Sequence, residues 1–300
     1  MANITTWISA ARLRTLPLSI SGILVGSAIA VAQEEFNAVI FTLALATTLG
    51  LQILSNFAND YGDFVKGTDN EERVGPQRAL QSGMITRDEM YWGMVGTAII
   101  TFLFALALIF VAFGTKSTFY AVFFLLLGMA AIAAAVKYTV GDSAYGYRGL
   151  GDVFVFLFFG VVGVYGCYFL YALSWDWKVL LPAFTIGFLS AGVLNLNNMR
   201  DRIADERAGK NTLAVKMGAA KAKRYHYFLL LAAFASIVLY SAFSFTGIDD
   251  LLYLIAFIPL LLHLKRVMEN RNPELLDPEL KKLALSTFLL ALLFSLGQVL

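Results

Sequence analysis

Amides and carboxylates recur at helical spacing in Asn56-Phe-Ala-Asn59-Asp60-Tyr-Gly-Asp63-Phe-Val-Lys66-Gly-Thr-Asp69. Asn56 and Asp60 are four residues apart, and Asp60 and Asp63 are three apart. On a helix these side chains share one face. A second cluster lies far downstream, Asn197-Asn198-Met-Arg200-Asp201-Arg202-Ile-Ala-Asp205. Asn197 and Asp201 repeat the four-residue step, as do Asp201 and Asp205. The interval from Asn56 to Asn197 equals that from Asp60 to Asp201, which reads as a duplicated helical unit with halves of about 1-150 and 151-300. Grouped carboxylates repel one another and are costly to desolvate, so cations must sit among them. Carboxylate and amide oxygens are hard ligands that suit Mg²⁺, an ion usually held by one or two carboxylates together with phosphate oxygens. Two facing clusters would hold one or two Mg²⁺ on a diphosphate. Lys66, Arg73 and Arg78 after the first cluster, Arg200, Arg202 and Lys210 around the second, and Lys137 as a third source would face the same polyanion.

The elements that carry these residues are read from composition. The chain has 300 residues, of which 59% are hydrophobic and only 15% charged, with mean hydropathy +0.70. A soluble domain averages about 25% charged residues, so this is a polytopic membrane protein, all-α, in one domain over 1-300. Nothing in the sequence points to a nucleic-acid partner. At about 20 apolar residues per crossing, nine spans are expected, at 16-32, 37-60, 91-113, 118-138, 152-174, 179-199, 226-245, 251-268 and 281-299. The connections then sort the charges: of the 23 lysines and arginines, only Lys116 and Lys178 fall on the second side. The side with the other 21 is cytoplasmic by the positive-inside rule, which puts the N-terminus inside and the C-terminus outside. Both acidic clusters end spans on the cytoplasmic side, and the long loops 61-90 and 200-225 follow them directly. Arg12 and Arg14 ahead of an apolar run, with Ala30-Val-Ala32 after it, also resemble a cleavable leader. Trp7 and the same arginines equally suit a short interfacial helix leading into the first span.

Other features weigh little. Cys167 is alone, so no internal disulfide or Cys-rich metal site forms. His226 and His263 lie far apart in sequence and read as packing residues rather than zinc ligands. Lys221, Lys223, Arg224, Lys281 and Lys282 read as anchors at helix ends. Asp adds little to orientation and is costly near the membrane, so Asp60, Asp63, Asp201 and Asp205 read as functional. Asp69 and Glu71-Glu72 are evenly balanced between the two readings. A transporter would place ionisable groups near the bilayer midplane, and the span centres here are almost free of charge. A passive scaffold leaves the twin clusters unexplained.

Asn59-Asp-Tyr-x-Asp-x-x-x-Gly-x-Asp69 resembles the first motif of the UbiA-type intramembrane prenyltransferases, and Asn197 to Asp205 with Gly209-Lys210-Asn-Thr212-Leu resembles the second. Lys137-Tyr138-Thr139 and Tyr145-Gly-Tyr147-Arg148-Gly-Leu-Gly151-Asp152 are similar to the branch that prenylates 1,4-dihydroxy-2-naphthoate in menaquinone synthesis. The resemblance implies a nine-helix bundle in a bacterial inner membrane. It implies Mg²⁺ on Asp60, Asp63, Asp201 and Asp205, a polyprenyl diphosphate with its tail between helices, and loss of CO₂ from the naphthoate. The substrate-binding set it implies is Asn56, Asn59, Lys66, Lys137, Tyr138, Tyr147, Arg148, Asn197, Asn198 and Lys210. Within it Asn56, Lys137 and Lys210 would donate to the diphosphate. Tyr138, Tyr147 and Arg148 would take the anionic acceptor, whose carboxylate suits a guanidinium.

Overall fold

The computed structural model describes residues 2–69, 77–114 and 116–300. Arg73, Glu71 and Glu72 lie outside the described residues. Within them the chain is helical, with no strand. Helix α1 (Ile4–Ala11) and a 3₁₀ turn (Leu13–Thr15) lead into α2 (Leu16–Ala32). Then come α3 (Ala38–Val65), α4 (Arg87–Phe113), α5 (Thr118–Lys137), α6 (Gly151–Ala172), α7 (Leu180–Arg200) and the short α8 (Arg202–Arg207). The chain ends with α9 (Leu213–Ser244), a 3₁₀ segment (Ile248–Ala256) running into α10 (Phe257–Glu269), and α11 (Asp277–Val299).

Nine helical segments among the described residues are long and apolar enough to cross a membrane, in agreement with the spans expected from hydropathy. Several helices begin earlier than hydropathy indicates. α4 starts at Arg87 and α9 at Leu213, because a helix continues past the hydrocarbon edge where apolar composition stops. Polar caps set those starts. Asn37 accepts from the Val39 and Ile40 amides, Thr86 and Glu89 form a reciprocal capping box, and Thr212 accepts from the Val215 amide. Gly218, at φ +73, breaks the helical path near the start of α9.

α2 and α7 are the most enclosed spans. α7 packs on α9 and α6, and α2 packs on α11 and α6. Backbones approach closely where Gly22 meets Gly163 and Gly160 meets Gly187; a Cβ at Gly22, Gly160 or Gly187 would strike the neighbouring main chain. From Phe156 to Gly166, α6 winds as a π-helix. α5 and much of α4 turn large apolar side chains outward, among them Phe119, Phe123, Ile100 and Phe110. These faces meet lipid. A smaller apolar cluster of Ala10, Ala11, Phe57, Leu80, Ile85 and Met90 pins α1 and the segment before α4 against the end of α3.

His226 and His263, 37 residues apart, meet in the core with Nε2 atoms 3.0 Å apart, and His263 Nδ1 lies 2.8 Å from Glu279 Oε2. They tie α9, α10 and α11 together, which sequence separation gave no means to foresee.

Candidate active site

α3 has 28 residues and so spans about 42 Å, well beyond a hydrocarbon core of about 30 Å. Its last turns therefore carry Asn56, Asp60 and Asp63 to the membrane rim. Gly62 lets this end lie against Thr139, whose hydroxyl donates to the Ala58 carbonyl at 2.8 Å and lies 3.4 Å from Asn59 Oδ1. The second cluster straddles a bend. Asn197 is on α7, Asp201 is the residue between α7 and α8, and Asp205 is on α8.

The two clusters converge. Lys210 Nζ stands 3.6 Å from Asp63 Oδ1 and 3.9 Å from Asp205 Oδ1, bridging the motifs. Burial alone would lower its pKa, but Asp63, Asp205, Asp201 and Asp69 outweigh burial and raise it. Burial pushes the Asp205 carboxyl up to about 7, with Lys210 pulling the other way and Asp201 and Asp63 adding to the rise. Tyr147 donates to Asp63 Oδ1 at 2.8 Å and shares a 2.5 Å hydrogen bond with Thr68. Lys66 Nζ lies 3.8 Å above the Tyr147 ring, and burial is the main cause of its lowered pKa. The Asn211 amide donates to the Tyr147 carbonyl at 3.2 Å, which docks the loop after α8 onto the turn before α6.

Three arginines complete the rim. Asp60 is shared by Arg12, from the end of α1, and Arg78 Nη1 at 2.7 Å; Arg78 also faces Asp63 at 3.9 Å and Asp69 at 3.7 Å. Arg200 grips Asp201 with two bonds of 2.8 and 2.6 Å, donates to Asn197 Oδ1 at 3.0 Å and reaches Asp277 on α11.

Asp63, Asp69, Asn197, Asp201, Asp205 and Lys210 line one small recess. Among the described residues, no three acid, His or Cys side chains form a ready-made metal cluster. The recess still suits Mg²⁺, because its donors are carboxylate and amide oxygens and its buried acids exceed the cations set between them. Such an ion completes its shell with phosphate oxygens and water. Asp60 differs in lying outside the recess, where Arg12 and Arg78 share it.

The recess opens beside a cavity of about 920 Å³. Its head is lined by Asn56, Asn59, Asp60, Asp63, Arg78, Asn197, Arg200 and Lys210. Below them the walls are apolar, with Ala131, Phe154, Phe158, Val162 and Leu170 among the lining residues. Tyr138 lines it too; Tyr147 stays at the rim on Asp63.

Three expected site residues are placed elsewhere. Lys137 is exposed and outside the lining, because α5 turns Ala131, Ala134, Ala135 and Tyr138 to the cavity and Lys137 lies off that stripe. Arg148 is also exposed: in the tight 3₁₀ turn Tyr147 points inward, so its neighbour points out. Its carbonyl accepts from Lys216 Nζ at 2.6 Å. Asn198 is buried, about 100° around α7 from Asn197, and does not line the cavity. Conversely Arg12, Gln52, Tyr145, Asp277 and Lys281 line the cavity without having been singled out as its ligands. For Arg12 and Lys281 the positive-inside rule supplied a sufficient explanation and masked the inward reach.

The model of the UbiA prenyltransferase family matches residues 19–294. The chain belongs to the UbiA family. Its relatives within it include the 1,4-dihydroxy-2-naphthoate octaprenyltransferases of Haemophilus influenzae and Escherichia coli, each 42% identical over 97% of this chain and 94% of theirs. The corresponding Mycobacterium tuberculosis protein is 39% identical over 78% of this chain and 77% of its own. Among solved UbiA structures, an apo homologue from Aeropyrum pernix superposes with TM-score 0.73 at 17% identity, covering 94% of this chain and 97% of that one. A homologue from Archaeoglobus fulgidus bound to GPP and Mg²⁺ gives 0.67 at 15% identity, covering 97% and 99%. At such identities the likeness is one of fold.

Proposed function

We propose that this UbiA protein transfers a polyprenyl group from its diphosphate to 1,4-dihydroxy-2-naphthoate, releasing diphosphate and CO₂ and giving demethylmenaquinol, the reduced form of demethylmenaquinone. The observation that carries this reading is the convergence of both aspartate motifs, bridged by Lys210, at the head of a deep apolar cavity. The apolar walls receive the isoprenoid tail and the head receives the diphosphate. Asp63, Asp201 and Asp205, with Asp60 beside them, would hold Mg²⁺. Bound there, the ion neutralises charge on the departing diphosphate.

The chain's own groups do the rest. Lys210, Arg78 and Arg200 supply fixed positive charge where negative charge grows as the C–O bond breaks. Tyr147 and Arg200 hold Asp63 and Asp201 in place. The enclosing helices keep water from the allylic cation until a ring carbon of the acceptor attacks it. The new C–C bond forms first; the ring carboxylate then leaves as CO₂, and its bonding pair restores the aromatic ring. The charge asymmetry supports a cytoplasmic site, with the N-terminus inside and the C-terminus outside a bacterial inner membrane.

A product assay tests the reading. Purified protein receives Mg²⁺, one polyprenyl diphosphate and a panel of aromatic acceptors. Prenylated naphthoate with stoichiometric CO₂ is expected, with 4-hydroxybenzoate reacting poorly. Efficient use of 4-hydroxybenzoate without CO₂, the naphthoate being inert, would reassign the acceptor.

A further inference from the structure

Below the charged head, one patch of the cavity wall is polar without being charged. Gln52 lies one turn inward from Asn56 and two turns, about 12 Å, from Asp60 along α3. Beside it is Thr15, where the 3₁₀ turn meets α2. Both line the cavity among Thr48, Leu51, Leu18 and Ile23.

The hydrogen bonds here leave one group unused. The Thr15 hydroxyl donates to the Arg12 carbonyl at 2.9 Å, so its oxygen acts as acceptor toward its other neighbours. Gln52 Nε2 and Asn56 Nδ2 both donate to it, each at 3.2 Å. Asn56 Nδ2 also donates to the Ala11 carbonyl at 2.9 Å, and Asn56 Oδ1 accepts from Gln52 Nε2 at 3.4 Å. This chain fixes which end of the Gln52 amide is nitrogen. Its Oε1 accepts from no group among the described residues. Arg12, next to this shelf, sits at φ +51, a left-handed conformation that persists in a non-glycine residue only where the surroundings impose it.

A spare acceptor on the cavity wall calls for a donor. The isoprenoid tail has none, and a metal-bound diphosphate offers only acceptors. Of the molecules in the proposed reaction, the dihydroxy-aromatic alone carries hydroxyl donors. In apolar ligand sites a few such polar groups fix orientation. Resting on the acceptor assignment above, we propose that the Thr15–Gln52–Asn56 shelf seats the aromatic acceptor and that Gln52 Oε1 accepts from one of its ring hydroxyls. Gln52 is then the residue that turns the ring toward the allylic carbon beneath the diphosphate.

The test uses full-length purified protein with Mg²⁺ and a polyprenyl diphosphate. In Gln52→Leu, KM for 1,4-dihydroxy-2-naphthoate rises about tenfold, the scale of one lost hydrogen bond, while KM for the prenyl diphosphate stays within about twofold. The two monomethyl ethers of the naphthoate then locate the bond. The wild type discriminates against the ether that has lost the donated proton, and Gln52→Leu no longer does. Thermal melts of both proteins establish equal folding. If instead both KM values rise together, or the discrimination survives the substitution, Gln52 serves only the packing of α2 on α3 and the proposal fails. A wild-type enzyme inert toward the naphthoate would overturn the acceptor assignment itself.

Discussion

Asp60 and Asp201 occupy equivalent places in two stretches of the same spacing, yet they are held by opposite means. Asp60 sits within an unbroken helix and takes its cations from afar, Arg12 from 48 residues upstream and Arg78 from 18 downstream. Asp201 sits at a helix break and takes its cation from the adjacent residue. Asp60 therefore has rigid backbone and replaceable partners. Asp201 has one fixed partner, and its backbone leads straight into the loop that delivers Lys210. One motif works as a fixed wall and the other as a bend that carries a lysine across.

Substitutions sharpen the contrast. The largest effect is expected from the acids themselves. Asp60→Asn and Asp201→Asn should each lower kcat on the order of 10³-fold with detergent stability nearly unchanged, and a chelator should abolish wild-type turnover until Mg²⁺ is returned. Turnover without divalent metal would remove the metal assignment from both motifs. Arg200→Ala should be the most damaging change to the fold. It leaves Asp201 buried without its partner, at a cost of about 3 kcal/mol in thermal or denaturant unfolding. Lys210→Met should lower kcat/KM about a hundredfold, since it removes the lysine that stands between Asp63 of one motif and Asp205 of the other; an effect confined to one of them would show in unequal losses when combined with Asp63→Asn or Asp205→Asn. Arg78→Ala should cost less stability than Arg200→Ala, because Arg12 still faces Asp60 and Lys210 still faces Asp63. A loss as large as that of Arg200→Ala would mean that Asp60 depends on a single guanidinium after all. Smallest is Tyr147→Phe, a few-fold fall in kcat, because Lys210 continues to hold Asp63.

Nine crossings were legible because hydrocarbon thickness imposes a run length, and lysine and arginine mark one side of it. The four acids were legible because aspartate at a membrane rim has no cheap structural use. Their guanidinium partners were only partly so: Arg200 is adjacent in sequence, whereas Arg12 reaches Asp60 through a backbone turn that no local pattern announces. Direction at helix ends was the other limit. Lys137 and Arg148 stand beside Tyr138, which lines the cavity, and Tyr147, which holds Asp63 at its rim, and one residue of rotation separates these positions from water. Gln52 escaped notice because its meaning lies in a hydrogen-bond count, and such a count needs coordinates.

The π winding of α6 has a geometric result. Phe154, Phe158, Val162, Gly166 and Leu170 all line the cavity, one every four residues. On a plain α-helix each such step would slip about 40° around the axis, and after four steps the row would face away. The wider winding from Phe156 to Gly166 turns less per residue and cancels the slip. The row is a straight rail, so a long extended chain can lie along it without coiling around the helix. Deleting one residue inside that segment would put torsion back into the rail and send its far half into lipid.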